Sequence, residues 1–217
     1  MKNFLAIVGL LAVVTLTGCA KKTPPYDYTA FRESKPASIL VLPAENHATD
    51  INAAHSFASL VTQPLAESGY YVFPVAVVEE TFKQNGLTSA SDIRNVSAAK
   101  LHGIFNADAA LYIDITEYGT KFIVVDSMTK VTATAKLVDL RTGKTVWSGA
   151  ATATDNESNH NGTQGLLGLV VNAAVKQITS NITDKTHDVA ALTSDRLLSA
   201  NTNGGILPGP RAKTAIR

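Results

Sequence analysis

The stretch Ser38-Ile39-Leu40-Val41-Leu42-Pro43 limits the fold more than any other. Its apolar residues run without alternation and stop at a proline. A strand with one wet face alternates polar and apolar residues, whereas a continuous run marks a strand covered on both faces. The rest of the chain must therefore supply that cover.

The next segments supply it. Asn46 to Asp50 is a polar loop, and Asp50 is placed to cap a following helix. That helix sets Ile51, Ala54, Phe57, Val61 and Leu65 on one face, with Gly69 as its stop. Pro64 must kink or shorten it. Tyr70 to Phe73 is a second strand, ended by Pro74. A helix is expected from Val75 to Gln84, closed by Asn85-Gly86, and a short one from Ser97 to Phe105. Ala109 to Glu117 reads as a third strand, with Leu111, Ile113 and Ile115 on one side and Tyr112, Asp114 and Thr116 on the other.

From Lys121 to Leu140 the pattern changes to period 2, as in Val131, Ala133, Ala135 and Leu137. Arg141-Thr142-Gly143 is a turn, and Lys144 to Thr154 returns as a strand, which predicts a β-hairpin. A polar loop covers Asp155 to Gly165. A helix then carries Leu167, Val170, Ala174, Ile178 and Ile182 on one stripe and continues, with a break, to about Leu198. The fold class is α/β: a mixed sheet with helices packed on it, in the order β-α-β-α-α-β, then an antiparallel hairpin and a C-terminal helix.

The N-terminus carries an address. One lysine, Lys2, precedes an apolar run from Phe4 to Leu16. The run is shorter than the roughly 20 residues that a spanning helix needs and matches an export signal. It ends in Leu16-Thr17-Gly18-Cys19, which resembles the lipobox of bacterial lipoproteins. In those proteins the cysteine is acylated and the signal is cut before it. Stable anchoring needs more than one acyl chain. The residue after Cys19 is Ala20 rather than aspartate, which by the same resemblance favours the outer membrane.

The expected divisions are a signal peptide over 1–18, a lipidated N-terminus and flexible tether over 19–37, one α/β domain over 38–198 and a disordered tail over 199–217. Cys19 is the only cysteine, so no internal disulfide can form. Removing Lys2 with the signal leaves 18 basic and 18 acidic residues. A neutral body without a basic stripe excludes nucleic acid as a partner.

Four stretches together resemble a known family: Ser38–Pro43, Gly69-Tyr70-Tyr71-Val72-Phe73-Pro74, Asn106-Ala107-Asp108-Ala109-Ala110-Leu111-Tyr112-Ile113, and Leu137 through Arg141-Thr142-Gly143-Lys144 to Trp147. The family is one of Gram-negative outer-membrane lipoproteins of unknown function, which includes a meningococcal surface-antigen candidate. The resemblance implies a body like the N-terminal domain of the Tol-system propeller protein and the periplasmic domain of the curli secretion lipoprotein. It implies no assigned catalysis. Asn106 stands where the family leads one to expect glycine, but asparagine also tolerates a left-handed backbone.

No catalytic constellation is legible. His47, His55, His102, His160 and His187 form no recognised ligand spacing. With Cys19 acylated no thiolate remains for zinc. Gly162, Gly165 and Gly168 fail the dinucleotide pattern. If Asp108 opens the third strand, six residues put it about 20 Å from Asp114, too far for a two-carboxylate mechanism. Asp108 is better read as orienting a turn. Tyr70, Tyr71, Phe73 and Trp147 are better read as core or sheet-face residues than as a binding patch.

The expectation is therefore a non-enzymatic envelope lipoprotein without cofactor or metal. It would be lipid-anchored at the periplasmic face of the outer membrane, with surface exposure as a variant. It would act as an assembly or interaction module. Its partners would be the membrane, copies of itself or other envelope lipoproteins. The alternatives are a subunit of a lipoprotein secretion pore and a small-ligand or glycan-binding protein.

Overall fold

The computed structural model describes residues 26–123, 126–155, 182–200 and 204–212. Cys19, His160, the 162–168 glycines and most of the Leu167–Ile178 stripe lie outside these residues.

The elements run α1 (Thr29–Ser34), β1 (Ser38–Val41), β2 (Glu45–Asn46), α2 (Ala53–Ala58), α3 (Thr62–Glu67), β3 (Tyr71–Val72), α4 (Val75–Gln84), α5 (Ala90–Arg94), α6 (Ala98–Phe105), β4 (Ala109–Ile123), β5 (Asp126–Asp139), β6 (Thr145–Thr154) and α7 (Ile182–Leu198). One six-stranded mixed sheet has the order β3-β1-β4-β5-β6, with β2 also paired to β4. β1 is parallel to β3 and β4, whereas β4-β5-β6 is antiparallel. The order of strands and helices agrees with the pattern in the sequence.

β1 explains the continuous apolar run. Ile39 and Val41 join a core with Phe57, Val61, Leu65, Leu111, Ile113, Ile115, Leu137 and Trp147 on one face. Leu40 and Leu42 join Val78, Phe82, Leu101, Ala110, Tyr112 and Leu140 on the other. Burying each of the larger side chains contributes roughly 1.5–3 kcal/mol. This interior strand is thus fixed from both sides.

Pro64 acts as its ring requires. The expected single helix is broken into α2 and α3, and Pro64 falls in the first turn of α3, where its missing N–H costs little. Ile51 is 85% exposed because helical structure starts only at Ala53. Asn106 caps α6 in the left-handed region at φ 51°.

The antiparallel part is larger than a hairpin. Residues Lys121–Ile123, assigned from the sequence to the following strand, belong to β4 and pair with β5. The register shifts between Ile115 and Glu117. This extra residue inverts the alternation, so Tyr118 rather than Glu117 joins the core of Ile113 and Ile115. Helix α5 was not legible. It starts at Ser89, whose hydroxyl accepts from Asp92 N at 3.1 Å and donates to Asp92 Oδ2 at 2.6 Å.

Ordered structure extends beyond both expected limits of the body. The supposed tether contains α1, and Phe31 is only 3% exposed within the core. The supposed disordered tail contains Ile206, 1% exposed, and packs along the start of β3. Both corrections have the same cause: an apolar side chain close to an open core margin is buried even when its neighbours are polar.

Candidate functional site

Asp114, on β4, meets a cluster on β2 and α5. Arg94 at the end of α5 places Nη1 3.0 Å from Asp114 Oδ1, Nη2 3.0 Å from Oδ2 and Nε 3.4 Å from Glu45 Oε1. His47 Nε2 lies 3.5 Å from Glu45 and 3.7 Å from Asp114. One ligand atom each from Glu45, His47 and Asp114 falls within 4.8 Å of the others. The guanidinium already supplies the positive charge there, fork to carboxylate, and donates again to Ile113 O at 3.1 Å. A second cation would face Arg94, so the cluster is suited to joining β2, β4 and α5 rather than to holding a metal.

A second constellation joins Ser56 on α2, Tyr118 on β4 and His187 on α7. Ser56 Oγ lies 2.5 Å from Tyr118 OH and 2.9 Å from His187 Nδ1. A serine beside an imidazole has the outline of a nucleophile and its base. The ring nitrogen that faces Ser56 is Nδ1, and among the described residues no bond or ion pair joins His187 to a carboxylate. The Ser56 oxygen is shared between the two rings. Burial pushes the Tyr118 hydroxyl up, and the bond from Ser56 partly opposes it. The trio pins two helices to the sheet.

Asp108 does orient a turn. Its Oδ2 accepts from Ala37 N at 2.9 Å, Ser38 N at 3.0 Å and Ser38 Oγ at 2.9 Å. Asp108 N in turn donates to Ser38 Oγ at 3.0 Å. This reciprocal contact sets the start of β1 against the start of β4. His102 is spent on Ala107 O, at 2.8 Å from Nδ1, and His55 is exposed. The four aromatics do not form one patch. Trp147 and Tyr70 are buried, Phe73 packs against Phe105 on the other sheet face, and Tyr71 is 45% exposed.

The C-terminal segment 204–212 forms a strap. Trp147 Nε1 donates to Gly204 O at 2.9 Å, Tyr28 OH to Gly205 O at 2.6 Å, and Tyr70 OH to Leu207 O. Gly209 N and Arg211 N donate to Ser68 O and Gly69 O at 2.7 and 3.1 Å. The approach requires glycine. Gly69 has φ +92°, and a Cβ there would lie 2.1 Å from Ala212 N. Between the strap and α1 opens a trough of about 450 Å³, walled by Phe31, Pro36, Tyr70, Leu207, Pro208 and Pro210, with Arg32 and Lys35 also on its lining.

The sheet margin opposite β3 is β6. Successive residues of an antiparallel strand point their backbone groups alternately toward and away from the partner. Ser148 N donates outward to Tyr26 OH at 2.8 Å, and Thr152 O accepts outward from Arg196 Nη1 at 2.8 Å. Ala150 lies between them with the same parity. Among the described residues its N–H and C=O have no partner.

Comparison with known proteins identifies the family. A family model described as "Putative lipoprotein GNA1162-like" matches residues 26–211. The chain belongs to this family. It is 52% identical over 206 residues to "Putative lipoprotein NMB1124/NMB1162" of Neisseria meningitidis, covering 94% of this chain and 95% of that one. It is also similar to the crystal structure of lipoprotein GNA1162 from the same species, at 54% identity and a TM-score of 0.54. That match covers 65% of this chain and 97% of the other. A looser likeness, 17% identity and a TM-score of 0.41, is to the PelC dodecamer of Paraburkholderia phytofirmans, covering 81% of this chain and 93% of that one.

Sequence reasoning read Asp108 as orienting a turn, as its bonds to Ala37 and Ser38 show, but it did not bring His47 beside Glu45 and Asp114. It missed Arg94, because α5 was missed, and it missed Ser56 with His187, which are 131 positions apart. It also missed the strap. The apolar pair Ile206-Leu207 ahead of Pro208-Gly209-Pro210 was the available signal.

Proposed function

We propose that this member of the GNA1162-like family is a non-enzymatic interaction module, held by lipid on Cys19 at the periplasmic face of the outer membrane. The signal peptide ends at Gly18, and assembly proceeds with copies of itself or with other envelope lipoproteins. The observation that carries this reading is the β6 margin. It is a ten-residue strand whose outward backbone groups at Ser148 and Thr152 meet side chains, with those of Ala150 open between them among the described residues. An exposed strand edge is a template for a further strand. The membership and the lipobox support the anchor.

The polar clusters support a non-catalytic reading, since each joins elements of the fold. The test is a photo-crosslinking residue at Ala150 in intact envelopes, with Lys83 on α4 as the control position. A crosslinked species specific to position 150 is expected. Recovery of monomer alone from both positions would sink the interaction reading. Palmitate incorporation that survives Cys19→Ser would sink the anchor.

A further inference from the structure

We propose that the trough between α1 and the strap seats an anionic phospholipid of the membrane in which the chain is anchored. The inference rests on the reading of Cys19 as that anchor. Its volume of about 450 Å³ lies within the usual range for ligand sites. The floor and walls are apolar through Phe31, Leu207 and the three prolines, and the Tyr70 ring adds to them. Arg32 and Lys35 are exposed on the lining, which contains no acid. This combination fits acyl and glycerol carbons below a phosphate. Arginine matches phosphate oxygens through two N–H groups, and lysine meets them as a point charge.

The nearby acid does not cancel these cations. Asp27 lowers its own charge cost through Thr29, whose hydroxyl and N–H lie 2.7 and 2.9 Å away, and only weakly through Arg32. Glu33 is exposed and lies outside the lining.

Chain length sets the place. Thr29 opens α1 ten residues after Cys19, so extended chain puts it at most about 35 Å from the anchor. Lys21 and Lys22 fall in between. Tyr71, 45% exposed, lies beside the strap with Arg211 over its ring, as amphipathic rings are placed at a membrane interface.

The experiment reconstitutes the acylated full-length mature chain into vesicles of phosphatidylcholine, with or without phosphatidylglycerol. Amide hydrogen exchange is read over 29–36 and 205–211. At least a threefold slowing with phosphatidylglycerol is expected, with α4 unchanged. Arg32→Glu with Lys35→Glu should abolish the difference, and both side chains are exposed, so the fold should survive. Equal exchange on the two vesicle types overturns the proposal, as does slowing that persists in the variant. A starting protein without acyl mass would refute the anchor separately. The unacylated chain mixed with the same vesicles would then still decide the trough.

Discussion

The two margins of the sheet are closed in different ways. At the β3 end, backbone amides of the strap bond to Ser68 and Gly69 and the Tyr70 hydroxyl reaches its Leu207 carbonyl, while Tyr28 and Trp147 of β6 hold its first two residues. At β6, a ten-residue strand is met by the tips of Tyr26 and Arg196. The first closure buries Ile206 and Tyr70, so lifting it would expose apolar core. The second uses surface side chains that can be replaced by another strand at little cost. One margin belongs to the folding unit, and the other is a guarded surface.

The largest test removes the strap. A chain ending at Asn203 leaves the Trp147 indole N–H and the Tyr70 hydroxyl without their acceptors and uncovers the place of Ile206. Unsatisfied buried donors cost about 1–3 kcal/mol each, and the lost burial adds roughly 1.5–3 kcal/mol. Denaturant unfolding should therefore show a loss of more than about 3 kcal/mol. Gly69→Ala, which sets a Cβ against Ala212 N, should go the same way. A truncated chain as stable as the full one would make the β3 margin no better closed than β6.

Acid should loosen the β6 side in particular. Asp139, 1% exposed, sits in the β5–β6 turn. Burial acts to raise its carboxyl, but bonds from Ser34 Oγ, Thr142 N–H and Arg141 outweigh this and hold it at about 2. An unfolded aspartate titrates near 3.9. The folded value is the lower one, so the stabilisation is complete above about pH 4 and is lost as pH falls through about 2. It is on the order of 2 kcal/mol. Asp139→Asn should remove this part of the acid limb, measured by unfolding at pH 6 and pH 3. An unchanged limb would mean that the turn does not tie α1 to β6.

How much of this was legible depended on whether a signal was local. The two-faced burial of β1, the break at Pro64 and the cap at Asn106 follow from residues within a turn of each other, and the sequence carried them. The bulge at Thr116 did not show, because inserting one residue leaves both flanking alternations intact. Arg94, with Asp114 twenty positions away, and the strap, with Trp147 on Gly204, depend on contacts that only the closed fold creates. The candidate sites were therefore less readable than the elements that carry them.

The smallest effect on stability should have the largest effect on assembly. Tyr26→Phe removes the acceptor from Ser148 N–H, and Arg196→Ala removes the donor to Thr152 O. These bonds lie at the surface, where water replaces them, so the double variant should lose only about 1 kcal/mol. It nevertheless frees consecutive outward positions at 148, 150 and 152, enough for a short strand to pair. Sedimentation of the soluble mature body should shift from monomer toward dimer as concentration rises. Adding Ala150→Pro should reverse the shift, because proline has no N–H to offer and is tolerated on an edge strand. If the double variant stays monomeric, Tyr26 and Arg196 are not guards, and the two margins differ in length rather than in kind.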